Sequence, residues 1–209
     1  MPTARLFIAV PIRSCPALRT VARHLATLSP ALRVTPLENL HLTLSFLGAT
    51  DVAKVTALLA AMTRATAGMA PFTAEMVGLG AFPEARRPRT IWAGFSPPQV
   101  FDELVARLQA SLDAAQLAPP PEGRPWSAHL TLARAAGPRR GRAVPPPPDA
   151  LRRLIKDYER VPLGPVWVDA IHLIESKAPC GNQGAGASGG AGGGAQYISL
   201  GSARLAAGG

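Results

Sequence analysis

A chain of 209 residues, 47% hydrophobic and 17% charged, holds enough apolar material for a substantial core, which excludes a wholly disordered protein. Its net charge of +9 at pH 7 points to a polyanion such as a nucleic acid as partner, although every basic residue except Lys54, Lys156 and Lys177 is arginine, the bias that a GC-rich coding sequence produces unaided. With Cys15 and Cys180 as its only cysteines, and no apolar run long enough for a bilayer, the sequence excludes a disulfide framework, a structural zinc site and a helical membrane span.

The run Leu6-Phe-Ile-Ala-Val10 reads as a buried strand ended by Pro11, too short and too soon interrupted for a signal peptide, so a cytoplasmic protein is expected. Leu18, Val21, Leu25 and Leu28 fall at helical spacing and predict an amphipathic helix over 16–29, with His24 on its solvent side. A short strand or edge follows at 33–36, and Glu38-Asn39 turns the chain into a strand from His41 to Gly48. Thr50 or Asp51 can cap a helix reaching to about Met69. Residues 72–77 alternate like a strand, and 78–88 read as a loop carrying Arg86 and Arg87, with Arg89 just beyond. A strand is expected at 90–95, and a helix at 98–115 with Val100, Leu104, Leu108 and Leu112 on one face. After Pro119-Pro-Pro121, Trp126 leads into a strand through Ala135. The stretch 137–148, with Arg139, Arg140, Arg142 and four consecutive prolines, reads as an extended loop, and 149–157 as a short helix. Residues 166–175 form one strand carrying His172 as a core or edge residue. Residues 181–195, nearly all Gly, Ala and Ser, read as a flexible linker. A last strand at 197–201 is expected to pair with the preceding one.

One phrase occurs twice, His41-Leu-Thr-Leu44 and His129-Leu-Thr-Leu132, with 129 − 41 = 88 positions between the histidines. Side chains alternate along a strand, so each copy offers a His and a Thr on one face and two leucines on the other. Two of the chain's four histidines stand in this phrase, one in each half, so a pseudo-two-fold arrangement brings both to one cleft. Imidazole can serve as acid or base near neutrality. Two imidazoles facing each other across a cleft therefore look like an acid and a base.

Arg5-Leu-Phe-Ile-Ala9, His41-Leu-Thr-Leu-Ser-Phe-Leu-Gly48, Arg89-Thr-Ile-Trp-Ala-Gly94, His129-Leu-Thr-Leu-Ala-Arg134 and Val168-Asp-Ala-Ile-His-Leu-Ile-Glu-Ser176 together resemble, in order, the RNA 2′,3′-cyclic phosphodiesterases of the two-histidine phosphoesterase superfamily, also called 2′-5′ RNA ligases. The resemblance implies an α+β fold, bilobal and pseudo-two-fold, each lobe a small antiparallel sheet with helices outside and the active-site cleft between, all within one domain over 1–209. It implies hydrolysis of RNA 2′,3′-cyclic phosphate ends to 2′-phosphates without metal or cofactor, with 2′-5′ ligation as an accompanying activity. Carried over by position, His41 is the proton donor, His129 the acceptor, and Thr43, Thr131 and Arg134 hold the phosphate. The implied partner is RNA with a cyclic phosphate end or a small cyclic nucleotide, with no membrane and no obligate protein partner. Three departures stand out: Ala128 where the family often has Pro, a long Gly-rich stretch before Tyr197 that carries no role over to that residue, and Arg134, which strict alternation turns away from His129. Two alternatives stay open from the sequence, a non-catalytic RNA-end-binding module and a related two-histidine enzyme that acts on a small cyclic nucleotide or an ADP-ribose cyclic phosphate or works mainly as a 2′-5′ ligase.

Overall fold

A computed structural model describes residues 1–29, 32–120, 123, 125–135, 149–177 and 195–207. The basic, proline-rich stretch expected over 137–148, the linker expected over 181–195 apart from Ala195, and Cys180 lie outside the described residues.

Nine strands and four helices make up these regions. In chain order they are β1 (Thr3–Pro11), α1 (Pro16–Leu28), β2 (Leu32–Val34), β3 (His41–Asp51), α2 (Val55–Thr66), β4 (Phe72–Phe82), β5 (Thr90–Ser96), α3 (Asp102–Ala114), β6 (Leu130–Ala135), α4 (Asp149–Asp157), β7 (Pro162–Val168), β8 (Ala170–Lys177) and β9 (Gln196–Arg204). The strands form one antiparallel sheet in the order β7-β4-β5-β6-β3-β1-β8-β9, with β2 paired to the outer end of β6. Each half of this order holds four strands. They meet at β3 and β6 through a single register pair, Leu42 with Leu130. The fold is thus the expected α+β, with its two halves continuous in one sheet at that seam.

The helices pack on one face. Leu18, Val21 and Leu25 of α1, Leu58 and Met62 of α2, Leu104, Leu108 and Leu112 of α3, and Leu151 of α4 are buried with Leu6, Ile8, Leu42, Ile91, Leu130 and Leu173 of the sheet in one core shared by both halves. On the opposite face Phe7, Ala9 and Ile174 form a second, small cluster with Tyr197 against it. Sheet residues alternate between these two faces, so whatever is not in the core lines the face that the helices leave open. No helix is long and apolar enough to cross a membrane.

Several element boundaries differ from the sequence expectation, among them that β3 runs past Gly48 to Asp51 and that α3 begins only at Asp102. The stretch 166–175 is two strands, split at Asp169: β7 pairs with β4 in one half, and β8 pairs with β1 and β9 in the other. β4 continues through Gly78 to Phe82, with a bulge between Val77 and Leu79 that lets it carry on past the glycine. Asp51 accepts the Ala53 amide at 3.0 Å and caps a short turn, so α2 begins only at Val55 and ends at Thr66. β9 pairs with β8 as expected but runs on to Arg204.

Candidate active site

The first motif behaves as alternation dictates. Leu42 and Leu44 are buried in the core, while His41 and Thr43 stand half-buried on the open face. His41 Nδ1 lies 2.6 Å from the Asn39 carbonyl oxygen. A carbonyl only accepts, so Nδ1 carries the proton and Nε2 is the nitrogen left to exchange protons with a substrate. The second motif repeats this device. His129, just before β6, places Nδ1 2.8 Å from the carbonyl of Ser127, again two residues back, and Thr131 is half-buried on the open face while Leu130 and Leu132 are buried.

Each imidazole is braced by aromatic rings. His41 has the Phe7 ring at 4.9 Å and the Tyr197 ring at 5.1 Å, the latter edge-on, and Phe7 and Tyr197 touch each other at 5.3 Å. His129 meets Phe82 edge-on at 5.1 Å, and Phe82 in turn packs on Trp92. Burial among these rings lowers the His41 pKa from its ordinary 6.5. The Asn39 carbonyl opposes that shift, and the charges of Arg134 and His129 add to it. Arg134 and His129 from one half therefore act electrostatically on His41 from the other. The two motifs face a common cleft.

Arg134 reaches this cleft through a bulge. Across the β5–β6 ladder Ile91 pairs with Ala133 but Trp92 with Thr131, so one step on β5 spans two on β6 and Leu132 is the extra residue. Leu132 and Ala133 are consequently buried in succession, and the alternation resumes one residue late. Arg134 thus emerges on the side of Thr131, against the strict-alternation expectation, with its Nη1 3.4 Å from Thr90 Oγ1. Across the seam, Trp126 Nε1 donates to the Thr43 carbonyl at 3.1 Å and ties the approach to the second motif onto the first motif strand. Ala128, where the family often has Pro, packs against the core.

The remaining two histidines are placed differently, and only His172, in one row with Thr43 and Ala9, shares the open face. His24 is exposed on α1. His172 is half-buried on β8, opposite Ala9 and Ser202, with Nδ1 3.2 Å from Ser199 Oγ, and burial lowers its pKa against the raising charge of Asp169. Among the described residues no group of three or more His, Cys, Asp or Glu is arranged to hold a metal ion. Phe7, Asn39, Phe82 and Trp126 escape the sequence reading, which also gives Tyr197 no role. Phe7 and Tyr197 share the faces of Ala9 and Ser199, a pattern visible only once the cleft side of each strand is known.

A sequence profile of LigT-like phosphoesterases matches residues 10–92. The RNA 2′,3′-cyclic phosphodiesterase of Methanothermobacter thermautotrophicus is 32% identical over 142 residues, covering 67% of this chain and 71% of that protein. That of Aeropyrum pernix is 33% identical over 144 residues, covering 66% and 73%. Among solved structures, TT0787 of Thermus thermophilus matches with a TM-score of 0.68 at 25% identity, over 96% of this chain and 97% of that one. E. coli LigT complexed with 3′-AMP matches with a TM-score of 0.63 at 25% identity, over 98% and 99%.

Proposed function

The chain belongs to the LigT-like phosphoesterases, the family of the RNA 2′,3′-cyclic phosphodiesterases, and from that premise we propose that it hydrolyses RNA 2′,3′-cyclic phosphate ends to 2′-phosphate ends through His41 and His129. The observation that carries this reading is the matched environment of the two imidazoles, each fixed at Nδ1 by a carbonyl two residues back, which leaves Nε2 as the nitrogen for proton exchange. His129 Nε2 takes a proton from the attacking water as its oxygen bonds to phosphorus. The P–O3′ bond breaks on the far side, and the leaving oxygen takes the proton of His41 Nε2. The hydroxyls of Thr43 and Thr131 and the guanidinium of Arg134 donate to the non-bridging oxygens, where charge grows in the transition state.

A buried imidazole beside Arg134 is a poor holder of protons in the empty cleft. The substrate's phosphate supplies the missing negative charge, offsetting Arg134 and His129 and returning the proton to His41 when it is needed. Binding and acid activation are thereby coupled. The substrate class is RNA ending in a 2′,3′-cyclic phosphate, or the corresponding cyclic nucleotide. The test is turnover of a 2′,3′-cyclic nucleotide in excess EDTA, with the product isomer identified. Exclusive formation of the 2′-phosphate at an unchanged rate is expected. Binding of RNA ends without turnover would leave a binding module, and activity that vanishes until magnesium or zinc is restored would overturn the two-histidine mechanism.

A further inference from the structure

The bulge at Leu132 has an effect on the neighbouring strand as well. At the outer end of β6, Arg134 stands directly opposite Thr90 of β5 on one side and Arg33 of β2 on the other. Residues directly opposite in an antiparallel ladder project to the same face. Turning Arg134 into the cleft therefore brings Arg33 with it, while Leu32 and Val34 pack against the core and Arg33 stays exposed. The row Thr90–Arg134–Arg33 thus crosses the cleft floor one step beyond the histidine pair. Like charges directly opposite in a sheet are destabilising, and no described carboxylate relieves this pair. The ion pairs among described residues are Arg107–Glu103, Arg152–Asp149 and Lys177–Glu175. Two arginines opposed on an open cleft face, with no described carboxylate paired to either, suit a ligand that carries two negative charges.

The terminal phosphate supplies one of them, held at Arg134 between the histidines. We infer that Arg33 receives the other, the phosphodiester immediately 5′ of the terminal nucleotide, and so makes the protein select the end of an RNA strand over a free cyclic mononucleotide. The inference rests on the proposed phosphodiesterase reading of the cleft. Arg33 lies on the far side of β6 from Thr90, one strand spacing of about 4.8 Å beyond Arg134, so it offers a second cationic position beside the one that holds the terminal phosphate. The exposed Arg86, Arg87 and Arg89 rim the β5 side of the same end of the sheet.

The test compares Arg33→Thr with the unaltered protein on a 2′,3′-cyclic mononucleotide and on a short oligonucleotide ending in the same group. For the oligonucleotide kcat/KM is expected to fall about fivefold to twentyfold, the worth of one partly exposed charge-assisted contact. Turnover of the mononucleotide, which lacks the second phosphate, is expected to stay within about twofold. The slope of log kcat/KM against log salt for the oligonucleotide should flatten by about 0.7, one single-strand phosphate contact, and Arg33→Lys should restore most of the loss. Thermal unfolding separates this from a structural effect, because relieving like charges predicts an unchanged or higher melting temperature for Arg33→Thr. Equal losses on both substrates would assign Arg33 to the terminal phosphate, and no loss on either would leave it solvent-facing; both overturn the inference. Affinity for an oligonucleotide with a 3′-phosphate end, measured alongside, tests Arg33 separately: if the unaltered protein turns over neither substrate, the phosphodiesterase reading fails, and this binding difference alone decides for or against Arg33.

Discussion

Leu42→Ala probes the seam on which the whole site depends. Leu42 and Leu130 are each 0% exposed and form the single register pair between β3 and β6. Each is the residue following a motif histidine. Truncating Leu42 removes three carbons, which at about 0.8 kcal/mol per carbon is a transfer loss of about 2.4 kcal/mol. The cavity left in a close-packed core brings the expected cost to about 2.5 to 5 kcal/mol, against about 5 to 15 kcal/mol for a whole domain. Because both halves share one core, urea unfolding should stay a single transition with a lower midpoint and an unchanged slope. At urea-free conditions, where the variant is still folded, kcat should fall about tenfold, since even a 1 Å misplacement of positioned groups can cost more than that. Trp167→Thr is the control: Trp167 is 61% exposed on β7, and its loss should stay within about 0.5 kcal/mol. A loss under about 1 kcal/mol for Leu42→Ala, below even the transfer estimate, or two separate unfolding transitions, would refute the idea that one packed seam aligns the two histidines.

The surroundings of His41 set three further outcomes. As the general acid it works only when protonated, and burial first, then the charges of Arg134 and His129, lower its pKa from 6.5; kcat/KM should therefore fall as pH rises through a value below 6.5. Arg134→Gln, which removes one of the lowering charges, should move that limb upward in pH, whereas a kcat/KM that climbs with pH through this range would exchange the roles of the two histidines. Tyr197→Phe keeps the ring that meets His41 edge-on and should retain activity within about threefold, while Tyr197→Ala should lose about threefold to tenfold, the worth of an aromatic contact. Equal losses in both Tyr197 variants would transfer the role from the ring to the hydroxyl.

Much of the fold is written in local pattern. The two motif phrases alternate apolar and polar, and the structure buries their leucines and leaves their histidines and threonines on the open face. The stripe Leu18, Val21, Leu25 buries as a helix face should. What escaped depends on partners distant in sequence. Leu132 is a bulge only because β5 steps once where β6 steps twice, and no property of β6 alone reveals that. The stretch 166–175 is largely apolar and holds no Gly or Pro to break it, so its division at Asp169 between opposite halves of the sheet comes from what each portion pairs with. Phe7 sits inside the uniformly apolar run of β1, where composition hides which residues face the core and which the cleft. Tyr197 meets His41 only because β9 pairs β8, and β8 pairs β1.

The central claim is that His41 and His129 act in one transition state, and the most direct measurement is kcat for His41→Asn, His129→Asn and the double variant on a 2′,3′-cyclic nucleotide, with His24→Asn on the exposed side of α1 as the control. Each motif variant is expected to lose about 10² to 10⁴ fold, the range for a positioned proton-transfer group, with substrate binding retained. The double variant should lose far less than the product of the two, because groups that serve the same step are not additive, and a substrate whose leaving group needs no protonation should rescue His41→Asn alone. Losses of only a few fold in either motif variant, or an equal loss in the control, would contradict the account and return the repeated phrase to two ordinary strands of a sheet.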